Sequence, residues 1–414
     1  MERKWLRALG LMVAFFAVAA SAYGGGTAPK RLSADPGVTA TSVLLGGTTP
    51  LSGEAASGSA TARGAEAYFK YVNSRGGVHR RSITYKYLDD GYDPGRTVQA
   101  TRQLVQQDRV FAIFNSLGTA QNLAIRPYLN EVGVPHLFVA SGASTWGREY
   151  RRYPWSLGFI PTYTAEGIIY GRQIARTKPR ARIAVLYQDD EYGKDLVAGL
   201  KKGLGRKARQ IVSQRSYDPT STDVSSEIAR LKASRADTLM IFAFGKFAIQ
   251  AFVYVNKLGW RPQIFVNAVA ASTTVLTLAS EGGRNKRTEG AISLAFFKDP
   301  ADPAWAKDPG FRLYRAVMRK YLPGENIKNG YFIAGMASAH AMVETLRKAG
   351  RNLTRRGVLA AVTRLDDRKN PFVLPGIRVR TSARDRFPLE QAQLERWQKG
   401  RWIRFGKLVS APRG

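Results

Sequence analysis

Acidic and hydroxyl side chains are the main groups in this 414-residue chain that could do chemistry. Two acidic stretches stand out, Asp89-Asp90 and Asp189-Asp190-Glu191. Each follows an apolar run, which puts it in the loop after a strand. A hard cation wants more oxygen ligands at defined spacing than either stretch supplies. Loop shaping is therefore the simpler reading of both. The 3 histidines, His79, His136 and His340, are widely separated, so a triad or shared metal site would need a coincidence of folding. With 0 cysteines, disulfides, thiolate metal sites and cysteine nucleophiles are excluded, and so is a lipid-modified N-terminal cysteine. No Gly-x-x-x-x-Gly-Lys-Ser/Thr loop, Gly-x-Ser-x-Gly elbow or His-Glu-x-x-His occurs. The inventory argues for binding without bond-making. No enzyme activity, cofactor or metal is expected.

Whatever binds must be positioned by elements, and these are written twice. Tyr92-Asp93-Pro94 returns as Tyr217-Asp218-Pro219, 125 positions on. Each copy ends a β-type run and precedes an amphipathic helix, with Val98, Leu104 and Val105 on one face in the first and Val224, Ile228 and Leu231 in the second. Short apolar strands follow, "VFAIF" and "TLMIF", then a loop with Gly118 or Gly245 and a second helix. That helix stops before Gly133 or Gly259, with Pro135 or Pro262 close behind. Upstream, "TSVLLGGTTPLSG" and "RIAVLYQDDEYG" also match as strand, polar loop and glycine. Each half thus reads β-α-β-α-β-α-β, which predicts an α/β fold of two Rossmann-like lobes with parallel sheets and right-handed crossovers. Ligands of such sheets bind outside the carboxyl ends of the strands. Two facing lobes would line a cleft with the loops 48–57, 117–121, 140–145, 188–192, 244–247 and 267–272. After the second unit come three helices, a strand, and a hairpin turning at Lys399-Gly400.

The N-terminus has Arg3, Lys4 and Arg7 ahead of an apolar run and Ala20-Ser21-Ala22, the layout of a cleaved signal peptide over residues 1–26. A periplasmic or extracellular location is expected. The net charge of +33 favours anionic partners in principle. The basic residues are spread along the chain with no nucleic-acid motif, so no nucleic-acid partner is expected.

The segments "GGTTPLSGEAASGSATARGAEAYFKYVNSRGGV", "VGVPHLFVASGAS", "YPWSLGFIPTYTAEG", "YQDDEYGKDL" and "YLPGENI" with "YFIAGMASA" carry a resemblance. From about Ser42 to about Val409 the chain resembles the periplasmic solute-binding proteins of branched-chain amino acid-type ABC transporters, the leucine-binding protein family. The resemblance implies a type I periplasmic binding protein fold with three crossovers. It also implies a monomer that traps a small solute by hinge closure and hands it to membrane permease subunits. Lobe 1 is expected over 40–160 with 290–368, and lobe 2 over 161–289 with 371–409. Hinges are expected near Pro161, near Gly290 and at Asn370 to Pro375.

Carried over residue by residue, the resemblance implies a carboxylate-binding hydroxyl at Thr119. Groups of Ala140, Ser141 and Gly142 would help, although a hydroxyl is usual where Gly142 stands. Tyr192 would cover the ligand. The acid that pairs an amino acid's ammonium in this family is missing, since Ala248 or Ile249 occupies its place and Lys246 lies nearby. A buried ammonium without a counter-charge is costly, so with Lys246 close by, an anion is favoured over a zwitterion. A small amino acid-like solute, a carboxylate (aromatic ones included) or an amide is expected in place of a free branched-chain amino acid. Tyr163, Tyr192, Phe244 and Phe247 would supply apolar walls. Three rival readings are a ligand sensor of the same fold, a charge-driven polyanion-binding envelope protein, and an extracytoplasmic hydrolase.

Overall fold

The computed structural model describes residues 35–410. The leader expected over 1–26 lies outside them. Five strands of the first half, β1 (Ser42–Thr49), β2 (Ser82–Asp89), β3 (Ala112–Phe114), β4 (His136–Val139) and β5 (Ser156–Gly158), form a parallel sheet in the order β2-β1-β3-β4-β5. The second half repeats this with β6 (Ile183–Gln188), β7 (Ile211–Tyr217), β8 (Thr238–Phe242), β9 (Gln263–Val266) and β10 (Ile292–Ala295), in the order β7-β6-β8-β9-β10. The central strands β3, β4 and β8 are buried at every position, as strands covered by helices on both faces must be. Helices α1 (Ala60–Asn73), α2 (Pro94–Arg102), α3 (Thr119–Glu131) and α4 (Thr145–Arg148) alternate with the first set of strands. Helices α5 (Tyr163–Thr177), α6 (Glu191–Leu204), α7 (Ser225–Ala233), α8 (Lys246–Lys257) and α9 (Thr273–Ala279) alternate with the second.

The remaining chain completes both lobes. Helices α10 (Pro309–Tyr321) and α11 (Gly330–Ala349) pack on α1, and α12 (Arg355–Val362) packs on α11. A two-stranded ribbon joins β11 (Asp366–Asp367) to β12 (Val379–Arg380). The hairpin β13 (Gln391–Gln398) and β14 (Arg401–Ser410) adds antiparallel to β10 and extends the second sheet to seven strands. Its turn is at Lys399-Gly400, with positive φ at both residues, the twist that a two-residue hairpin favours.

The crossings differ from the sequence expectation at two of three places. The first runs through Phe159 to Pro161, between β5 of the first sheet and α5. The second was expected near Gly290, but β10 stays in the second sheet, so the chain leaves it after Ala295. The third was expected at Asn370 to Pro375. That segment instead runs beside the second crossing, where Lys298 N–H donates to the Phe372 carbonyl and Leu374 N–H to that of Phe296, both at 3.0 Å. The following residues stay on the first lobe, where Phe387 covers Gly147 and Arg386 donates to the Pro154 carbonyl. The chain crosses only at Leu389 to Glu390. Pro161, Phe296 and Glu390 line one small void, which brings the three crossings together.

The Tyr-Asp-Pro repeat has one shared role and one divergent one. Asp93 caps α2 by accepting from Arg96 N–H, with Pro94 in the first turn. Asp218 instead closes a local turn onto Thr220, and α7 starts at Ser225. The two tyrosines converge on Gln188, which donates to Tyr92 Oη at 3.4 Å and accepts from Tyr217 at 3.0 Å.

Both lobes bring helices together through glycines. A Cβ on Gly335 of α11 would collide with the Thr61 carbonyl of α1, and one on Gly64 with the Phe332 carbonyl. The α5–α6 pair does the same through Gly167, Gly171, Gly199 and Gly203. Overpacking such a contact costs about 1–3 kcal/mol. Gly335→Ala should lower the unfolding free energy in urea by that amount, and an unchanged midpoint would contradict the close packing.

Candidate ligand-binding site

Where the carboxyl ends of the two sheets meet, a cavity of about 160 Å³ opens between the lobes. Cavities of this size in other proteins hold benzene-sized molecules. The first lobe contributes Asn115, the Leu117 to Thr119 turn, Ala140 and Tyr331. The second contributes Tyr192, Phe244, the Ala268 to Thr273 loop and, from the hairpin, Glu395 and Trp402. The crossings contribute Phe159 and the run from Phe296 to Pro300.

Thr119, Ala140, Tyr163, Tyr192 and Phe244 all line this cavity, so five sequence candidates are brought together. Tyr163 and Tyr192 meet edge to face at 4.8 Å, and Phe244 stacks on Tyr92 across the cleft at 5.8 Å. Burial pushes the Tyr163 and Tyr192 hydroxyls far above their ordinary range, so both stay protonated. Helix α3 starts at the cavity wall, its Gly118 offering no side-chain cap. Its first-turn N–H groups suit an acceptor atom. Ser141 lies behind Thr119. Its Oγ accepts from Trp146 Nε1 at 3.0 Å and Ala143 N–H at 3.2 Å, and sits 2.7 Å from Thr119 Oγ1. With both lone pairs used, Ser141 donates to Thr119, and Thr119 keeps its own proton for the cavity side.

Four candidates do not reach the cavity. Ser141 acts through Thr119. Gly142 cannot carry the hydroxyl usual at its position, because a Cβ there would stand 2.5 Å from the Pro161 carbonyl of the first crossing. Lys246 is not available to an anion. Its Nζ bonds Glu54 Oε1 of the opposite lobe at 2.6 Å. Phe247 is likewise no cavity wall, and packs its ring 4.6 Å from Tyr217.

The lysine contact is one of several that tie the lobes in a closed arrangement. Ser144 N–H and Oγ donate to Asp195 at 2.7 and 3.1 Å, and Tyr331 donates to the Val269 carbonyl at 2.9 Å. The acidic stretches shape loops. Asp89 accepts from Leu51 and Ser52 N–H, and Asp190 caps α6 through Gly193 N–H. Burial, with Arg126 nearby, pushes His136 down to about 3, so it is neutral, and it bonds Asn122 at 2.8 Å. Among the described residues no group of three or more His, Cys, Asp or Glu could hold a metal.

Sequence reasoning missed Asn115, Tyr331, Asp299, Glu395 and Trp402. Asn115 has a φ of +49° while buried, a conformation that non-glycine residues keep mainly where the surroundings enforce it. Among the described residues its Oδ1 and the Tyr192 hydroxyl have no hydrogen-bond partner. Burial, with Asp299 and Asp302 nearby, raises the Glu395 carboxyl well above the usual range. Asp299 is raised too, by burial first, although Ala301 N–H and Thr273 Oγ1 hydrogen-bond it.

A family model described as "Periplasmic binding protein" matches residues 42–401. The chain belongs to the periplasmic binding protein family. It is similar to Leu/Ile/Val-binding protein homolog 7 of Brucella abortus, 26% identical over 319 residues that span 74% of this chain and 77% of the relative. Among solved structures it is similar to a branched chain amino acid ABC transporter protein from Thermus thermophilus with bound valine. That match has a TM-score of 0.79 at 19% identity and covers 90% of this chain and 97% of the other. A fatty acid ABC transporter substrate-binding protein from Thermomonospora curvata matches with a TM-score of 0.77 at 21% identity, covering 93% and 96%. The fold of this family member is thus the type I periplasmic binding protein fold.

The Glu54–Lys246 pair is partly exposed, and such pairs contribute about 0.2–1 kcal/mol. Lys246→Ala should therefore weaken solute binding by less than about sixfold, through faster dissociation, and Glu54→Lys with Lys246→Glu should restore it. A loss of several hundredfold would instead place the ammonium on the solute.

Proposed function

We propose that this protein is the extracytoplasmic solute-binding component of an ABC importer, trapping one small amino acid-like, carboxylate or amide solute between its lobes and presenting it to permease subunits. The observation that carries the reading is the cavity itself, whose wall is shared by both lobes and two of the three crossings. Neither lobe can enclose a solute alone. A solute that contacts both lobes favours the closed form by the contacts it makes only there. Its acceptor end lies at Thr119 and the start of α3, and its apolar body lies against Tyr163, Tyr192 and Phe244. The named relatives bind amino acids, valine or fatty acids, which supports a small solute and leaves its chemistry to this chain's own wall. The protein works as a monomer outside the cytoplasm and carries out no bond chemistry.

A native mass spectrum of the protein as purified should show one small solute per chain. Returned to dialysed protein, that solute should shrink the radius of gyration, and Phe244→Ala should weaken it at least about tenfold. Absence of any solute, or binding with no change in shape, would contradict the trapping mechanism.

A further inference from the structure

We propose that the solute carries a cationic amine at the end of its apolar body remote from Thr119, held by Glu395 with Asp299 beside it. This deepens the solute-binding reading and rests on it. Glu395 stands on β13 opposite Ser293 of β10. It is 5% exposed and lines the cavity. Among the described residues no donor hydrogen-bonds its carboxyl, and its influences are burial and the charges of Asp299, Arg404 and Asp302. A buried carboxyl without a donor is unfavourable and persists mainly where a function retains it.

The local cations are already taken. Arg404 bonds Asp302 at 3.2 Å, and Lys298 bonds Asp308 at 2.8 Å. Among the described residues, Asp299 and Glu395 are the acids in the cavity wall, and the one cation lining it, Lys298, is already paired with Asp308. An anion placed beside Glu395 and Asp299 would meet carboxyls without a free cation, and an ammonium would meet acceptors.

Placement of the acid sets where the amine sits on the solute. Helix α8 has Ala248 and Ile249, both apolar, at the positions expected to pair an ammonium adjacent to the carboxylate. The unpartnered acid is on β13, on the wall where Phe296, Phe297 and Trp402 also stand. Carboxylate and amine are therefore held at opposite ends of an apolar body, as in an ω-amino acid and unlike leucine.

The test is calorimetric titration of dialysed wild-type protein with ω-aminocarboxylates of about four to eight carbons, the plain carboxylates of the same lengths, and leucine. Leucine and 6-aminohexanoate are isomers that differ in where the amine sits. At least one ω-amino acid should bind at least about tenfold more tightly than its plain carboxylate and than leucine. Glu395→Gln should bring that ratio down to about threefold or less. Should the variant fail to fold, the wild-type ratios decide. Leucine or a plain carboxylate binding as tightly as every ω-amino acid, a preference unchanged in Glu395→Gln, or no binding by any of the panel overturns the inference. In that last case a solute in the native mass spectrum leaves solute trapping standing, and an empty spectrum removes it as well.

Discussion

Two parallel sheets point their carboxyl ends at one another across a gap that neither can fill. Everything else follows from that constraint. Strand ends leave backbone and side-chain groups without partners, because the strands stop there and the helices begin. Within one lobe those groups would face water. With the lobes closed they face a shared space lined by Tyr163, Tyr192 and Phe244, where water is largely displaced and each polar group matters more. The site is therefore built by the meeting of the lobes. The crossings at Pro161, Phe296 and Glu390 set how they meet.

Closure is held by modest contacts. Lys246 with Glu54, Ser144 with Asp195 and Tyr331 with Val269 are single interactions between lobes, at the rim and along the wall. None is a large apolar interface, so the closed arrangement leaves room for a solute to decide the balance. The rigid part lies elsewhere, in helix pairs whose glycines bring backbones into contact. Motion can then concentrate at the three adjoining crossings.

Much of this was legible in the sequence. Duplication of the Tyr-Asp-Pro segment pointed to two α/β units with parallel sheets, and strand-end topology pointed to a cleft between them. Five candidate residues line it. What failed was long-range. Strand β10 reads like a crossing because Gly290 precedes it, yet its partner β13 lies a hundred residues on, and only pairing shows which sheet owns it. Lys246 read as an anion receptor because its counter-ion Glu54 belongs to the other lobe. Glu395 was invisible for the same reason. In "QAQLERWQ" it looks like one polar residue of an edge strand, and only the fold buries it in a wall shared with the segment from Phe296 to Pro300. Gly142, by contrast, was read as a departure from pattern, and the Pro161 carbonyl explains it.

The central claim is that the lobes close on a solute, and inter-lobe distance tests it most directly. The natural chain contains 0 cysteines, so two introduced ones can be labelled without interference. Leu51→Cys and Thr222→Cys place labels at exposed rim positions on opposite lobes. Pulsed electron-spin distance measurement should give a long, broad distribution for dialysed protein and a short, narrow one when the co-purified solute is returned. The same distribution in both states would contradict the account.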